Sequence, residues 1–195
     1  MERVLPVVEF DSAATQKEFK KIWVDRFENS ANSPMSWLVC AEGLKRSFDL
    51  LFNDIESIHN ERRHEFINTQ RVALMLIGAA IENVLKGIYA NNNKLTDGNG
   101  KFLRKTHTLM HLVDINGLQL SDEEMRLLEK LYNFIVWAGK YPIPVMYSDM
   151  MPRYLDESSK DSFSVLTTTM YPHDFANSVS LYNKLKKELD IVGTM

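Results

Sequence analysis

The feature that most constrains the fold of this 195-residue chain is a long apolar segment near its middle. Residues 72–90 read VALMLIGAAIENVLKGIYA, with ten uninterrupted residues of apolar or small type before Glu82. This run is about half the length of a membrane-crossing helix, so we expect no membrane span. It predicts instead the central helix of a folded core.

Amphipathic segments surround the central one, and each has a helix-start signal. The first runs from Asp11 or Ser12 to about Glu28, and the second from Pro34 to about Ile58. The third begins after Thr106 and ends before Gly117. The fourth begins at the Ser121–Glu124 capping box and ends near Ala138, and the fifth runs from about Asp174 to Asp190. Prolines, serines and aromatics between residues 142 and 172 predict an irregular segment, and residues 162–170 alone have strand-like composition. The pattern predicts one all-α domain over residues 1–195, an up-and-down bundle of five to six helices.

Composition excludes several classes of protein. A formal charge of -3 and a pI near 6.0 argue against a broad nucleic-acid-binding surface. No glycine-rich phosphate loop follows a strand, so dinucleotide and P-loop folds are excluded and no cofactor is expected. Cys40, the single cysteine, lies on the apolar side of its predicted helix, as a small core residue does. A lone thiol fits a reducing compartment, which indicates a cytoplasmic protein.

Glu82 is the most informative polar residue, because it interrupts the most apolar helix. An unpaired carboxylate there would be costly, and Lys86 lies one turn away as an ion-pair partner. Gly78 and Ala79 on the same face leave room for a second helix to approach closely. Two alternatives follow: a structural ion pair at a packing interface, or a polar site gathered around Glu82.

The end of the capping-box helix carries a second candidate site. Trp137, Lys140 and Tyr141 cluster before a rigid proline turn. A cation at a helix C-terminus is favourable in itself. The two aromatic rings and the ammonium group would also suit stacking on a base and pairing with a phosphate.

Three residues have the spacing of helical metal ligands. His107, His111 and Asp114 would project from one face if they all lay on one helix. A further ligand from another helix would be needed. The alternative is the solvated face of a short helix whose Leu109, Leu112 and Val113 point inward, and this alternative leads to the expectation of no bound metal.

Residues 72–144 resemble the HEPN superfamily of prokaryotic helical domains. The resemblance rests on Ala79–Gly87 with its acidic turn, on the His-containing stretch Lys105–Leu112, and on Trp137–Pro142 at the end of the last bundle helix. It implies a helical bundle that commonly dimerises, often in toxin–antitoxin or phage-defence systems. In active members it implies metal-independent RNA cleavage by an arginine and a histidine four to six residues apart.

The chain departs from the ribonuclease pattern of that family. Arg104 and His111 have the spacing but straddle the His-containing segment, so we attribute the match to chance. Lys140 stands where the family has arginine, and no histidine follows it within the interval. The catalytic residues therefore stay unassigned, and the candidates are His107, Arg104 and His111.

The sequence thus predicts a protein that binds RNA or a nucleotide, with Glu82, Lys86, His107, Lys140 and Tyr141 in one cleft. In this prediction His107 lies close to Glu82, and Lys140 meets an anionic ligand. The alternative is a non-catalytic protein–protein interaction module, a helical homodimer or the partner of a cognate protein. A Lys140 in open solvent away from the other four residues would favour that alternative.

Overall fold

A computed structural model of the chain describes residues 13–57, 63–103, 106–150, 168 and 170–192. The helices in these ranges are α1 (Ala13–Ala31), α2 (Pro34–Ser57), α3 (Arg63–Asn92), α4 (Leu109–Ile115), α5 (Asp122–Asn133) and α6 (Pro172–Val192), with a π-helical turn at Phe134–Ala138 and a 3₁₀ turn at Tyr147–Met150. The one β-bridge in the described chain joins Thr96 and Phe102. The predicted all-α helical bundle is confirmed.

Helix α3 is the centre of the core, as its apolar sequence predicts. It packs against α2, α4, α5, α6 and the π-helical turn. Its second half is buried on nearly every side, including Ile77, Ala80 and Leu85, which have no exposed surface. The helix is longer than residues 72–90, because its polar ends extend beyond the buried part.

Glycines let the end of the fifth helix approach α3 closely. A Cβ atom on Gly78 would lie 3.1 Å from Cγ1 of Ile135, and one on Gly139 would lie 2.5 Å from Cβ of Met75. The prediction that a helix packs closely at Gly78 is confirmed. The α-helix expected to reach Ala138 ends at Asn133, however, and continues as the π-helical turn, which is closed by a bond from the Gly139 amide to the Phe134 carbonyl.

The predicted capping box at the start of α5 is present. The Glu124 amide donates to Ser121 Oγ at 3.2 Å, and the Ser121 amide donates to Glu124 Oε2 at 2.8 Å. Burial acts to raise the pKa of Glu124, but hydrogen bonds from Lys184 and Ser121 outweigh burial and hold it below the usual 4.5. Both partners of the box are therefore satisfied, with the carboxylate ionised.

The short helix α4 begins later than predicted. Its N-cap is Thr108, which makes no side-chain cap bond, whereas Thr106 Oγ1 accepts a bond from the Thr108 amide in the turn before it. Leu109, Leu112 and Val113 are buried as expected. Gly117 follows the helix with φ +65°, a left-handed conformation that suits glycine at a helix end.

Helix α6 begins at Pro172, two residues earlier than predicted. Asp174 on its first turn is buried, accepts from the Tyr171 amide at 2.8 Å, and binds Lys130 Nζ of α5 at 2.8 Å. The Lys130 ammonium lies 4.7 Å from the centre of the Tyr171 ring. This ion pair fixes α6 to α5. Most of the irregular segment, with residues 162–167, lies outside the described residues.

The first two helices differ in how their apolar faces are used. In α2, Ala41 and Phe48 enter the core, but Cys40 is exposed, so its prediction as a core residue is wrong. Cys40 precedes the buried Ala41 by one residue, about 100° around the helix, and so lies outside the buried face. In α1 most large apolar residues are exposed, among them Ile22 at 63% and Trp23 at 52%, whereas Val24 is half-buried and Ala31 buried. Asp11 and Ser12 lie outside the described residues.

Candidate functional site

The structure brings together three of the five predicted site residues. Lys86 Nζ lies 2.5 Å from Glu82 Oε1, and both side chains are only 8% exposed. His107 Nδ1 lies 3.0 Å from Oε1 and 3.1 Å from Oε2 of the same carboxylate. The predicted contact between His107 and Glu82 is therefore confirmed. We call these three residues the ion-pair cluster.

Two aromatic side chains flank the ammonium group of the ion-pair cluster. Lys86 Nζ lies 5.6 Å from the centre of the Trp37 ring and 5.8 Å from that of Phe102. The two rings are themselves 5.9 Å apart. Such cation–π contacts stabilise a desolvated cation, so the carboxylate and the two rings together allow Lys86 to be buried. Sequence reasoning missed both rings, because Trp37 comes from α2 and Phe102 from the loop after α3.

The ion-pair cluster orients the imidazole of His107. A carboxylate accepts but does not donate, so Nδ1 carries the proton of this hydrogen bond and Nε2 is the remaining nitrogen. The His107 side chain is 66% exposed. The cluster can thus present an oriented imidazole at the surface, but its ammonium group is already bound to Glu82 and buried.

Lys140 and Tyr141 lie elsewhere. The Arg71 guanidinium donates to the Tyr141 carbonyl at 3.4 Å, and Arg71 is eleven residues before Glu82 on α3. Eleven residues correspond to about 16 Å along a helix axis. Lys140 is exposed. The prediction that all five residues share one cleft is therefore wrong, because the close contact of Gly139 with Met75 places the end of the π-helical turn beside the first half of α3.

Trp137 is not available to stack on a base. Its side chain is part of the core and only 6% of the residue is exposed. Its indole Nε1 is buried and has no hydrogen-bond partner among the described residues. Of the predicted stacking pair only Tyr141 remains, at 58% exposed.

The predicted metal ligands do not share a helix face. His107 precedes α4, which starts at Leu109, so the assumed spacing does not apply. His111 and Asp114 are both exposed on α4. Within the described residues no group of three or more His, Cys, Asp or Glu side chains is placed to hold a metal ion. Arg104 lies outside the described residues.

A second polar cluster, not predicted from the sequence, joins α1 to the loop after α3. Glu28 Oε1 accepts from the Gly100 amide at 2.9 Å, and Glu28 Oε2 is bonded to Thr96 Oγ1. Asn32 Nδ2 donates to Thr96 Oγ1 at 2.6 Å, while Asn32 Oδ1 accepts from the Leu95 amide at 2.7 Å. We call Glu28, Asn32 and their partners the α1 clasp. No local pattern indicates it, because its partners are more than 60 residues apart.

Comparisons with known proteins add no relative. No family model, no curated protein and no solved structure matches this chain. By length and composition Ile67–Asn92 could cross a membrane, and 72% of its most apolar window is buried inside the protein. A mostly buried core helix passes the same test of length and composition, so the expectation of no membrane span stays a prediction.

Proposed function

We propose that the protein is a non-catalytic helical interaction module that self-associates through the outward face of α1. The observation that carries this proposal is the exposed row formed by Phe19, Ile22, Trp23 and Phe27, which we call the α1 stripe. Glu28, on the opposite side of the helix, and Asn32, just after its end, are bound to the protein's own loop. The proposal assigns the apolar side, where Ile22 and Trp23 are more than half exposed, to a partner.

The size of the α1 stripe fits an interface. Side chains of this size bury about 200 Å² each, so their exposed fractions leave on the order of 400 Å² of apolar surface. Patches of that size on monomers are often functional. A standard interface buries about 800 Å² per partner and is a little over half apolar, so the stripe supplies most of the apolar part of one.

The charges beside the stripe favour a second copy of the chain as the partner. By helical periodicity, exposed Glu18 and Asp25 follow one edge of the stripe and exposed Lys20 lies along the other. Two copies related by a two-fold axis parallel to α1 bring the acidic edge of each against the basic edge of the other. One surface then serves both partners, as in most homodimers.

Sedimentation equilibrium tests the proposal. The wild-type chain should dimerise, and the double variant Ile22→Ser/Trp23→Ser should weaken the dimer at least about tenfold, or 1.4 kcal/mol. Its melting temperature should be nearly unchanged, because both side chains are exposed. The matched control is Val145→Ser, which removes an apolar side chain that is 98% exposed on a different segment. A wild-type chain that stays monomeric at high micromolar concentration overturns the proposal.

The edge charges provide a second test of the orientation. Lys20→Glu should weaken the homodimer by placing acidic edges together. Mixing that variant with Glu18→Lys/Asp25→Lys should restore association as a heterodimer, because opposite edges again face each other. A Lys20→Glu chain that dimerises as strongly as wild type would contradict the arrangement, because antiparallel pairing already sets like edges against each other.

RNA or nucleotide binding is a second candidate, and the surroundings of Tyr141 support it. Tyr141 has an exposed ring that suits stacking on a base, and Arg71, which bonds its carbonyl, and the neighbouring exposed Lys140 would suit contact with a phosphate. Membership of the HEPN superfamily, with a role in toxin or defence systems, stays a proposal of the same kind. For active members the resemblance implies RNA cleavage without a metal, and His107, which Glu82 orients, is the candidate residue for that activity.

Fluorescence anisotropy with a labelled mixed-sequence RNA tests the second candidate. Lys140→Glu should weaken binding at least about tenfold and leave the melting temperature unchanged. Lys187→Glu, an exposed lysine on α6, is the control. Cleavage that survives a chelator and is lost in His107→Ala would support the ribonuclease activity. Absence of RNA binding in the wild-type chain would dismiss this candidate.

A further inference from the structure

We infer that the α1 clasp is a positioning device that fixes the direction of α1 and so holds the α1 stripe outward. The inference rests on the proposed function for its consequence, because the stripe matters only if it binds a partner. The residues that do this are Glu28 and Asn32, whose side chains bind the loop of their own chain and are not part of the α1 stripe.

The clasp uses nearly all the polar capacity of its two side chains. Both carboxylate oxygens of Glu28 are engaged, one by the Gly100 amide and one by the Thr96 hydroxyl. The amide of Asn32 donates to Thr96 and accepts from Leu95. Thr96 is only 2% exposed, so its bonds to Glu28 and Asn32 are partly sheltered from water, whereas the bond from the Gly100 amide lies at the surface.

The loop that receives the clasp is rigid. Its ends are joined by a bond of 2.8 Å from the Leu103 amide to the Leu95 carbonyl, and Asp97 Oδ1 accepts from the amides of Asn99 and Lys101. These amides, that of Asn99 first, hold the pKa of Asp97 below its usual value. Gly98 and Gly100 have φ of 78° and 82°, which the tight turn requires. A preformed loop can fix the helix bound to it.

The loop is in turn joined to the core through the ion-pair cluster. Phe102 lies beside Lys86, which is bound to Glu82 of the central helix. Trp37, the second ring beside Lys86, donates from Nε1 to the Ala31 carbonyl at 2.7 Å, at the end of α1. Two routes thus connect the C-terminal end of α1 to α3, one through the loop and one through Trp37.

Among the described helices, α1 contacts mainly α2. Val24 lies beside Gly100, whereas Ile22 and Trp23 are mostly exposed to solvent. Without the clasp, α1 would keep its helical bonds and lose its fixed direction. Self-association would then require the helix to be ordered on binding, which weakens the dimer without removing any residue of the interface.

Two matched pairs of variants test the inference. Asn32→Ala and Glu28→Ala break the clasp, whereas Asn29→Ala on α1 and Glu188→Ala on α6 remove the same side-chain types from exposed positions. Hydrogen exchange of the Leu95 and Gly100 amides should accelerate at least about tenfold in the first pair only. The dimer should weaken at least about fivefold in that pair, with the amides of α3 still protected.

Spin labels make the result independent of dimerisation. Labels at Lys17→Cys and Lys187→Cys, in a Cys40→Ser background diluted with unlabelled chain, report the distance from α1 to α6. The distance distribution should be narrow in the wild-type background and broad with Asn32→Ala. Equal distributions for Asn32→Ala and Asn29→Ala would overturn the inference. If the wild-type chain is monomeric but Asn32→Ala still broadens the distance distribution, the proposed self-association is overturned and the positioning role of the clasp is supported.

Discussion

Helix α3 buries its apolar side chains in the core, whereas helix α1 exposes most of its large apolar side chains to solvent. Along the second half of α3, apolar side chains and even the pair Glu82 and Lys86 are buried. Along α1, Ile22 and Trp23 are exposed, and the polar residues Glu28 and Asn32 make the contacts with the body. One helix is stabilised by its core, and the other is attached by hydrogen bonds.

The comparison shows what helical periodicity can and cannot decide. A helix that is apolar on all sides has no face suited to water, so its burial follows from its sequence. An amphipathic helix offers two faces, and which one contacts the body depends on partners elsewhere in the chain. For α1 the partner is a polar loop near residues 95–100, so the apolar face is left outside.

The largest effect on stability is expected from a charge placed in the buried part of α3. Ala80 has no exposed surface, so Ala80→Asp should lower the free energy of unfolding by about 4 kcal/mol or more, the cost of an unpaired buried charge. Urea denaturation measures it. The control is Ala176→Asp at an exposed position of α6. An Ala80→Asp chain as stable as the control would show that α3 is not the centre of the core.

The ion-pair cluster gives the next largest effect. Glu82→Ala leaves the buried ammonium of Lys86 without its carboxylate and should cost about 3 kcal/mol. Glu82→Leu/Lys86→Leu removes both charges between the Trp37 and Phe102 rings and should change stability by less than about 1 kcal/mol. Thermal and urea unfolding compare the two. If the double variant is as unstable as the single one, an unpaired buried charge does not explain the cost of Glu82→Ala.

Much of the fold was predictable from the sequence because its signals are local. The capping box at Ser121, the stop at Gly117 and the close approach at Gly78 each depend on residues a few positions apart or on one small side chain. The π-helical turn at Phe134–Ala138 was not predictable, because it results from packing of Gly139 on Met75. The cap at Thr108 was misassigned because Thr106 offers the same chemistry two residues earlier.

The candidate site was predictable only where its residues share a helix or a short connection. Glu82 and Lys86 are one turn apart, and His107 follows the next loop, so their contact followed from the chain order. Lys140 was misplaced because the direction taken by the chain after α5 is set by contacts with the first half of α3. The clasp residues Glu28 and Asn32 bind partners more than 60 residues away, and no spacing indicates such contacts.

Paired glycine substitutions test the difference between a packed and an open helix surface. A Cβ at Gly139 would lie 2.5 Å from Met75 Cβ and 2.9 Å from the Phe134 carbonyl oxygen, so Gly139→Ala should destabilise the fold by about 1–3 kcal/mol. Gly43 on α2 has nothing within 4 Å, so Gly43→Ala should stabilise by up to about 1 kcal/mol. Melting temperatures that shift in the same direction would contradict this assignment of surfaces.

The smallest effect expected is at the start of α5, where sequence and structure agree in detail. Ser121→Ala removes the acceptor for the Glu124 amide and should cost about 1 kcal/mol of unfolding free energy. Thr108→Ala is the matched control, because Thr108 is an N-cap without a side-chain cap bond and should cost a few tenths of a kcal/mol at most. Equal losses for the two variants would show that the cap bond contributes nothing.

The pH dependence of the unfolding free energy separates the contribution of the Glu124 charge from that of its hydrogen-bond geometry. Because the folded pKa lies below the usual 4.5, the ionised carboxylate stabilises the fold fully above that value, and this contribution is lost as the pH falls toward the folded pKa. Glu124→Gln should therefore be less stable than wild type at pH 7, with a gap that narrows as the pH falls below 4.5. Lys184 bonds the same carboxylate at 2.8 Å, so Lys184→Met should reduce the gap at pH 7 and leave the Ser121 contribution in place. A gap that stays constant with pH would mean that the box acts through hydrogen-bond geometry alone.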